Sequence, residues 1–199
     1  MSGKEMKFYP DRSPVPPGLR TEEFLLRTLR ASDVELDYEA VMASREMLHL
    51  RSGGRWPREN FTLEENLADL QQHEAEFHAR TSFTYTVMDP TQTRCLGCVY
   101  IYPLHHILER AGVPETQRPS VGDYEAETSF WVRRDRIADD LDRHLLAALL
   151  PWLEGDFAFS RVYLRAHTTE PRHIEIFRDA GLRLVVSMPA ADRQLMLFE

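Results

Sequence analysis

Trp131–Leu150 reads WVRRDRIADDLDRHLLAALL: the end of a strand, a short charged turn, then a long helix with an apolar stripe. Many folds hold an anionic ligand at a strand–turn–helix junction, because the turn and the helix start present N–H groups and the positive end of the helix dipole. Such junctions usually carry glycines, whose bare backbone can close on the anion. This one has no glycine and places aspartates at 139, 140 and 142. Its spacing therefore predicts an anion site, while its residues argue against one.

Working outward, the elements alternate. Phe24–Leu29 (FLLRTL) reads as a short strand, and Ser32-x-x-Glu35 as a capping box that opens a helix through Leu48. RSGGRWP breaks the chain, and Thr62-x-x-Glu65 in FTLEENLADLQQHEAEFHAR caps a second helix. SFTYTVMDP, where Phe83, Tyr85 and Val87 alternate with polar partners, reads as a strand ended by the turn DPTQT; TRCLGCVYIYPL is more apolar and reads as central. His105–Asp123 is a long polar connection with room for a short helix. YEAETSFWV leads as a strand into the junction and its helix LDRHLLAALLPWL. SRVYLRAH is a strand, EPRHIEIFRDA a helix stopped by Gly181, and LRLVVSM and RQLMLF are two strands around the turn PAAD. The order β-α-α-β-β-β-α-β-α-β-β predicts an α/β fold, with a mixed central sheet and helices on both faces. Residues 1–20 hold four of the twelve prolines and read as an irregular arm, leaving 21–199 as a single domain.

Composition narrows the function classes. A 43% hydrophobic and 28% charged chain of 199 residues is long enough for one substantial core. The net charge of -8 argues against a general nucleic-acid or acidic-membrane surface. Of the 24 basic residues only Lys4 and Lys7 are lysine, so guanidinium groups are the available anion binders. There is neither a run of about 18 apolar residues nor a targeting segment, which predicts a soluble, cytoplasmic protein. Cys95 and Cys98 form the only CxxC, and a structural zinc site needs two further ligands, so they read as buried thiols on a strand and no metal is expected.

The element order and the junction resemble the GNAT superfamily of N-acetyltransferases over residues 24–198. The family's strand a-E-i-G-Y-W-V is similar to AETSFWV, Ala126–Val132, matching at Glu127, Trp131 and Val132. Its apolar helix LL-x-ALL is matched, without a gap, by LLAALL at Leu145–Leu150. RVYLRAH resembles the next strand, and EPRHIEIFRDAGLRLV resembles N-x-x-S-I-x-L-Y-E-K-x-G-F, with Ile174, Ile176, Phe177 and Gly181 in register.

The resemblance implies that acetyl-CoA lies where two parallel strands splay apart. Its pantetheine would pair with the main chain of Ser129–Arg133, including Trp131, Val132 and Arg133, and its pyrophosphate would sit on the turn at Ala138. Glu127 matches the position of a general base that takes a proton from the substrate amine. The acceptor would be a small-molecule or peptide amine, and exposed C-terminal strands would pair in a homodimer. His49, His73 and His78 fall on the helices that shape the family's acceptor site, and His105 and His106 near its mouth.

Six positions depart from the family. Its Q/R-x-x-G-x-G/A motif is replaced by Ile137, Asp140 and Asp142, and a carboxylate about 4 Å from a phosphate charge is repelled by about 1 kcal/mol in water and about 4 kcal/mol at a protein surface. Phe177 stands at the usual acid tyrosine; Glu170 and His173 replace the usual asparagine and serine. Two readings of the turn follow. Either the aspartates occupy the anion site themselves, or Arg133, Arg134, Arg136 and Arg143 rescue phosphate binding by bidentate contacts. The corresponding functions are an N-acyltransferase using acetyl-CoA and a non-catalytic GNAT-fold binding module that has lost it. A transferase with a different or uncharged donor is a third option.

Overall fold

The computed structural model describes residues 6–190 and 193–199. Strands β1 (Gly18–Arg20), β2 (Leu25–Thr28), β3 (Phe83–Met88), β4 (Cys95–Pro103), β5 (Glu125–Val132), β6 (Arg161–His167), β7 (Leu184–Ala190) and β8 (Arg193–Phe198) form one sheet in the order β1-β2-β3-β4-β5-β6-β8-β7. Among the described residues only β5–β6 is parallel; the other pairs are antiparallel. The helices are α1 (Val34–Ala43), α2 (Arg45–Arg51), α3 (Leu63–Ala79), α4 (Leu104–Arg110), α5 (Leu141–Asp156) and α6 (Pro171–Asp179). The mixed α/β sheet with helices on both faces is as expected.

Three details differ from the sequence reading. The arm contains β1, paired to β2; residues 1–5 of the arm and the middle of the PAAD turn lie outside the described residues. The helix expected to run from Ser32 to Leu48 starts as a 3-10 turn at Ala31–Asp33, without a side-chain cap, and breaks at Ser44 into α1 and α2. Ser44 is fully buried and its Oγ accepts the Arg134 N–H at 3.1 Å, so a tertiary contact at the junction overrides local helix propensity. The second capping box forms as read, with Thr62 and Glu65 bonding reciprocally.

Alternation puts Phe130 and Val132 of β5 into the core under α5 and α6, with Leu145, Leu149, Ile176 and Phe177. Glu127, Ser129 and Trp131 point to the other face, opposite Tyr102, Tyr100 and Cys98 of β4. Cys95 shares this second face because the β3–β4 register slips between Val87 and Met88, leaving Leu96 as an extra residue that turns into the first core. Both thiols are buried and free, as read from the sequence.

Candidate functional site

The site is built where β5 and β6 part. They pair from Glu125↔Arg161 to Thr128↔Leu164. Beyond that, β6 pairs with β8 through His167, while β5 continues along β4 to Val132. A wedge-shaped gap therefore opens at Ser129, on the same strand and three residues before its end at Val132, where the junction begins.

On the α1–α3 side of this gap lies a cavity of about 700 Å³. Its floor is Cys98, Tyr100 and Tyr102 of β4 with Trp131 of β5, its far side Arg165 and His167 of β6, and its roof Asp37, Arg51, Asn66, Asp69 and His73. Tyr100 and Tyr102 lie nearly parallel at 6.2 Å, and Trp131 donates its indole N–H to the Tyr100 hydroxyl at 3.2 Å. Glu127, on the same face of β5 as Trp131, is fully buried and does not itself line the cavity; its Oε1 accepts from Arg165 at 2.5 Å, and its Oε2 has no hydrogen-bond partner among the described residues. Arg165 also donates to Ser129 Oγ at 2.7 Å. Burial alone would pull the Arg165 guanidinium down, but Glu127 and Glu170 together carry it above its usual range.

The gap itself is furnished. The Phe130 carbonyl accepts from Arg51 of α2 and from His173 Nε2 at 3.2 Å. Arg51 forms an ion pair with Glu170 at 3.3 Å, and Glu170 Oε2 bonds the main-chain N–H and ring of His167, each at 2.9 Å. Burial lowers His173 to about 4, with Arg51 adding to the effect, so its ring is neutral near pH 7. Phe177 is a core residue with no hydroxyl to offer.

At the junction, the main chain folds on itself. The N–H groups of Arg136, Asp139 and Asp140 bond to the carbonyls of Arg133, Arg136 and Ile137 at 2.9, 3.3 and 3.1 Å. Asp140 caps α5 in the left-handed conformation (φ 54°) without a side-chain cap bond among the described residues. Its carboxylate, and that of the buried Asp142, are taken by one residue: Arg172 reaches Asp140 Oδ1 at 2.6 Å and both oxygens of Asp142 at 2.8 and 2.9 Å. Burial would raise Asp142, but Arg172 holds it below the usual carboxylate range.

The four candidate arginines part company here. Arg133 is buried and bidentate to Glu39, with a second contact to Asp135 at 3.1 Å. Arg143 turns to α6, onto Glu175 at 2.5 Å and Asp179 at 2.6 Å. Arg134 and Arg136 stay on the turn beside the exposed Ala138, paired to Glu46 at 2.6 Å and Asp139 at 2.8 Å. A second recess, of about 660 Å³, lies against Arg134 and is lined also by Arg45, Glu46, His49 and Glu59.

Of the histidines singled out in the sequence, His73 lines the cavity and His49 the recess. His105 and His106 pack on each other at 4.3 Å at the start of α4, outside the cavity lining. Among the described residues no group of three or more His, Cys, Asp or Glu could hold a metal ion, and no helix is long and apolar enough to cross a membrane. Sequence reasoning missed Arg51, Arg165 and Arg172, which contact residues 79, 38 and 30 positions away. It had the means to find Tyr100 and Tyr102, whose spacing of two puts them on one strand face.

No protein-family model and no curated protein matches the sequence. Solved structures do. Over 91% of this chain and 94% of the other, it resembles the ribosomal-protein-S5-alanine acetyltransferase from Vibrio fischeri with a TM-score of 0.68 at 13% identity. A putative GNAT-family acetyltransferase from Bordetella pertussis matches with a TM-score of 0.64 at 13% identity, over 92% and 98% of the two chains. The microcin C7 self-immunity acetyltransferase, solved with acetyl-CoA and AMP, matches with a TM-score of 0.67 at 11% identity, over 94% and 98%. At such identities the likeness shows the fold.

Proposed function

We propose that this chain, which has the GNAT acetyltransferase fold, is an N-acyltransferase that moves an acetyl group from acetyl-CoA to an amine in the cavity under α1–α3. The observation that carries this reading is the parting of β5 from β6 at Ser129 beside that cavity, with the buried Glu127 at its closed end.

Whether the residues suit the donor turns on the junction. Its amides are largely committed, so a diphosphate would have to be held by side chains. Arg134 and Arg136 would hold it, because their partners Glu46 and Asp139 are 80% and 60% exposed. Exposed ion pairs contribute about 0–1 kcal/mol, so exchanging a carboxylate for a phosphate there costs little. Arg133, engaged by two carboxylates, and Arg143, engaged by three (Asp140 at 3.6 Å besides Glu175 and Asp179), hold the strand end and α6 instead. When bound, the thioester supplies an activated acyl carbon.

The chain's own residues supply the rest. Glu127 takes the amine proton, using the Oε2 that has no other hydrogen-bond partner among the described residues, while Arg165 fixes its Oε1. Tyr100, Tyr102 and Trp131 exclude water from the floor. With Phe177 in the tyrosine position, the leaving thiolate departs without a dedicated phenol donor.

Calorimetric titration with acetyl-CoA tests this. Saturable binding below millimolar, weakened at least tenfold in Arg134→Ala/Arg136→Ala, is expected. No binding at millimolar concentration would sink it. A second reading, a binding module without a donor, is favoured by a specific observation: Arg172 locks Asp140 and Asp142 where the family has glycines, and Arg51 and His173 cap the Phe130 carbonyl. The same titration separates the two.

A further inference from the structure

The cavity distributes its unsatisfied groups unevenly. On its acidic side, Glu76 already accepts from Gln72 at 2.8 Å and Ser82 at 2.7 Å, and Asp37 accepts from Asn66 at 3.0 Å and is approached by the Cys98 thiol at 3.6 Å. Asp69 has one bond, from the Trp56 indole at 3.3 Å, and the buried Asn66 Oδ1 has no partner among the described residues. Asn66 and Asp69 stand three positions apart on α3, so they are neighbours on one helix face. Both line the cavity, over an aromatic floor that favours a cation.

The basic side is also uneven. Arg51 and Arg165 are neutralised by Glu170 and Glu127. Arg55 and Arg110 line the same cavity from the α2–α3 loop and the end of α4, are exposed, and have no ion pair among the described residues. Arg55 adjoins Trp56, which contacts Asp69, so an available cation and an available carboxylate face the same space.

We propose that the cavity binds an amine that also carries a carboxylate, an amino acid or a dipeptide with a free C-terminus, its amine on Asp69 and Asn66 Oδ1 and its carboxylate on Arg55 and Arg110. This rests on the acyltransferase reading only in taking an amine as the class of ligand the cavity receives; the binding site stands without the donor. A singly charged carboxylate fits better than a phosphate dianion, because Asp69 and Glu76 in the same lining repel the second charge. The volume of about 700 Å³ accommodates a residue or two beside ordered water.

The test uses four probes, phenylalanine, alanyl-phenylalanine and their two C-terminal amides, titrated without donor and followed by tryptophan fluorescence and calorimetry. At least one free acid should bind at least tenfold more tightly than its amide. Arg55→Gln/Arg110→Gln should narrow that ratio below about threefold while leaving the thermal midpoint unchanged, since both side chains are exposed. Amides binding as tightly as acids, an unchanged ratio in the variant, or no binding of any probe at 10 mM, far above ~1 mM affinity, overturns the proposal. Acids binding where acetyl-CoA does not would leave it standing and remove the acyltransferase reading; acetyl-CoA binding with no acid binding would do the reverse.

Discussion

At the scale of single residues, the junction is decided by Arg172. Two carboxylates sit where a diphosphate would need neutral backbone, and Arg172 from α6 compensates both. Asp142 is almost fully buried and Asp140 exposed, so the two have different effects. Arg172→Ala should lower stability by about 1–3 kcal/mol, because it strands the Asp142 carboxylate in a low-dielectric site, a change that urea denaturation would read. Asp140→Gly/Asp142→Ala should instead tighten acetyl-CoA binding at least tenfold, since it removes two repulsions and releases Arg172; calorimetry giving equal affinities would show that the diphosphate does not approach this turn. Glu127→Gln is expected to lower the rate of acetyl transfer by about 10²–10⁴-fold with its fold retained, as removal of a general base does. A rate within threefold of the parent, measured with any acceptor found, would take Glu127 out of the chemistry.

Elements show which parts of the architecture were legible in the sequence and which were not. The strand alternating Phe83, Tyr85 and Val87 with polar partners, the Thr62 capping box and the Gly181 helix stop are written in local patterns and form where read, though β3 is buried on both faces, its threonines included. The break at Ser44 was not legible, because its cause is an N–H ninety positions away. The same holds for Arg51: nothing in REMLHLR announces that its last residue enters the gap between β5 and β6. Glu127 and Trp131 could be singled out as candidates because their strand resembles a family pattern, whereas their surroundings, Arg165 and the tyrosine pair, needed the sheet. Gly97 illustrates the dependence of site on element. It sits beside the bulge at φ 150°, and a Cβ there would lie 2.0 Å from the Trp131 carbonyl oxygen, a backbone atom that cannot step aside. Gly97→Ala should therefore push β4 from β5, displace Trp131 from the cavity floor, and lower the thermal midpoint by roughly 4–12 °C, the shift that about 2–3 kcal/mol gives in a chain of this length. Unchanged tryptophan fluorescence and midpoint would show that the strand pair tolerates the shift.

Across the whole molecule, ionisable groups buried at the gap couple the site to global stability, and the direction can be worked out. His173 has a folded value of about 4, held down first by burial and then by Arg51, against an ordinary 6.5. Between those values the unfolded chain binds a proton that the folded chain refuses, so stability falls as pH drops from 6.5 to 4, at about 1.4 kcal/mol per unit, and the effect ends below 4. Glu76 lies outside the gap, on α3. His73 leads the interactions that depress it to about 2 from an ordinary 4.5, so the stability it contributes is present above 4.5 and is lost as pH falls from 4.5 to 2. The two windows adjoin, which predicts a continuous loss of stability from near neutrality downward rather than a plateau and a single acid step. Substituting His173→Asn keeps a donor for the Phe130 carbonyl and removes the titration. Its urea midpoint should be nearly flat between pH 6.5 and 4.5, where the parent's declines, and should fall in parallel with the parent's below that. Identical slopes in the upper window would mean that the His173 ring is hydrated in solution, and that the gap between β5 and β6 is open to water rather than closed by the side chains that cap Phe130.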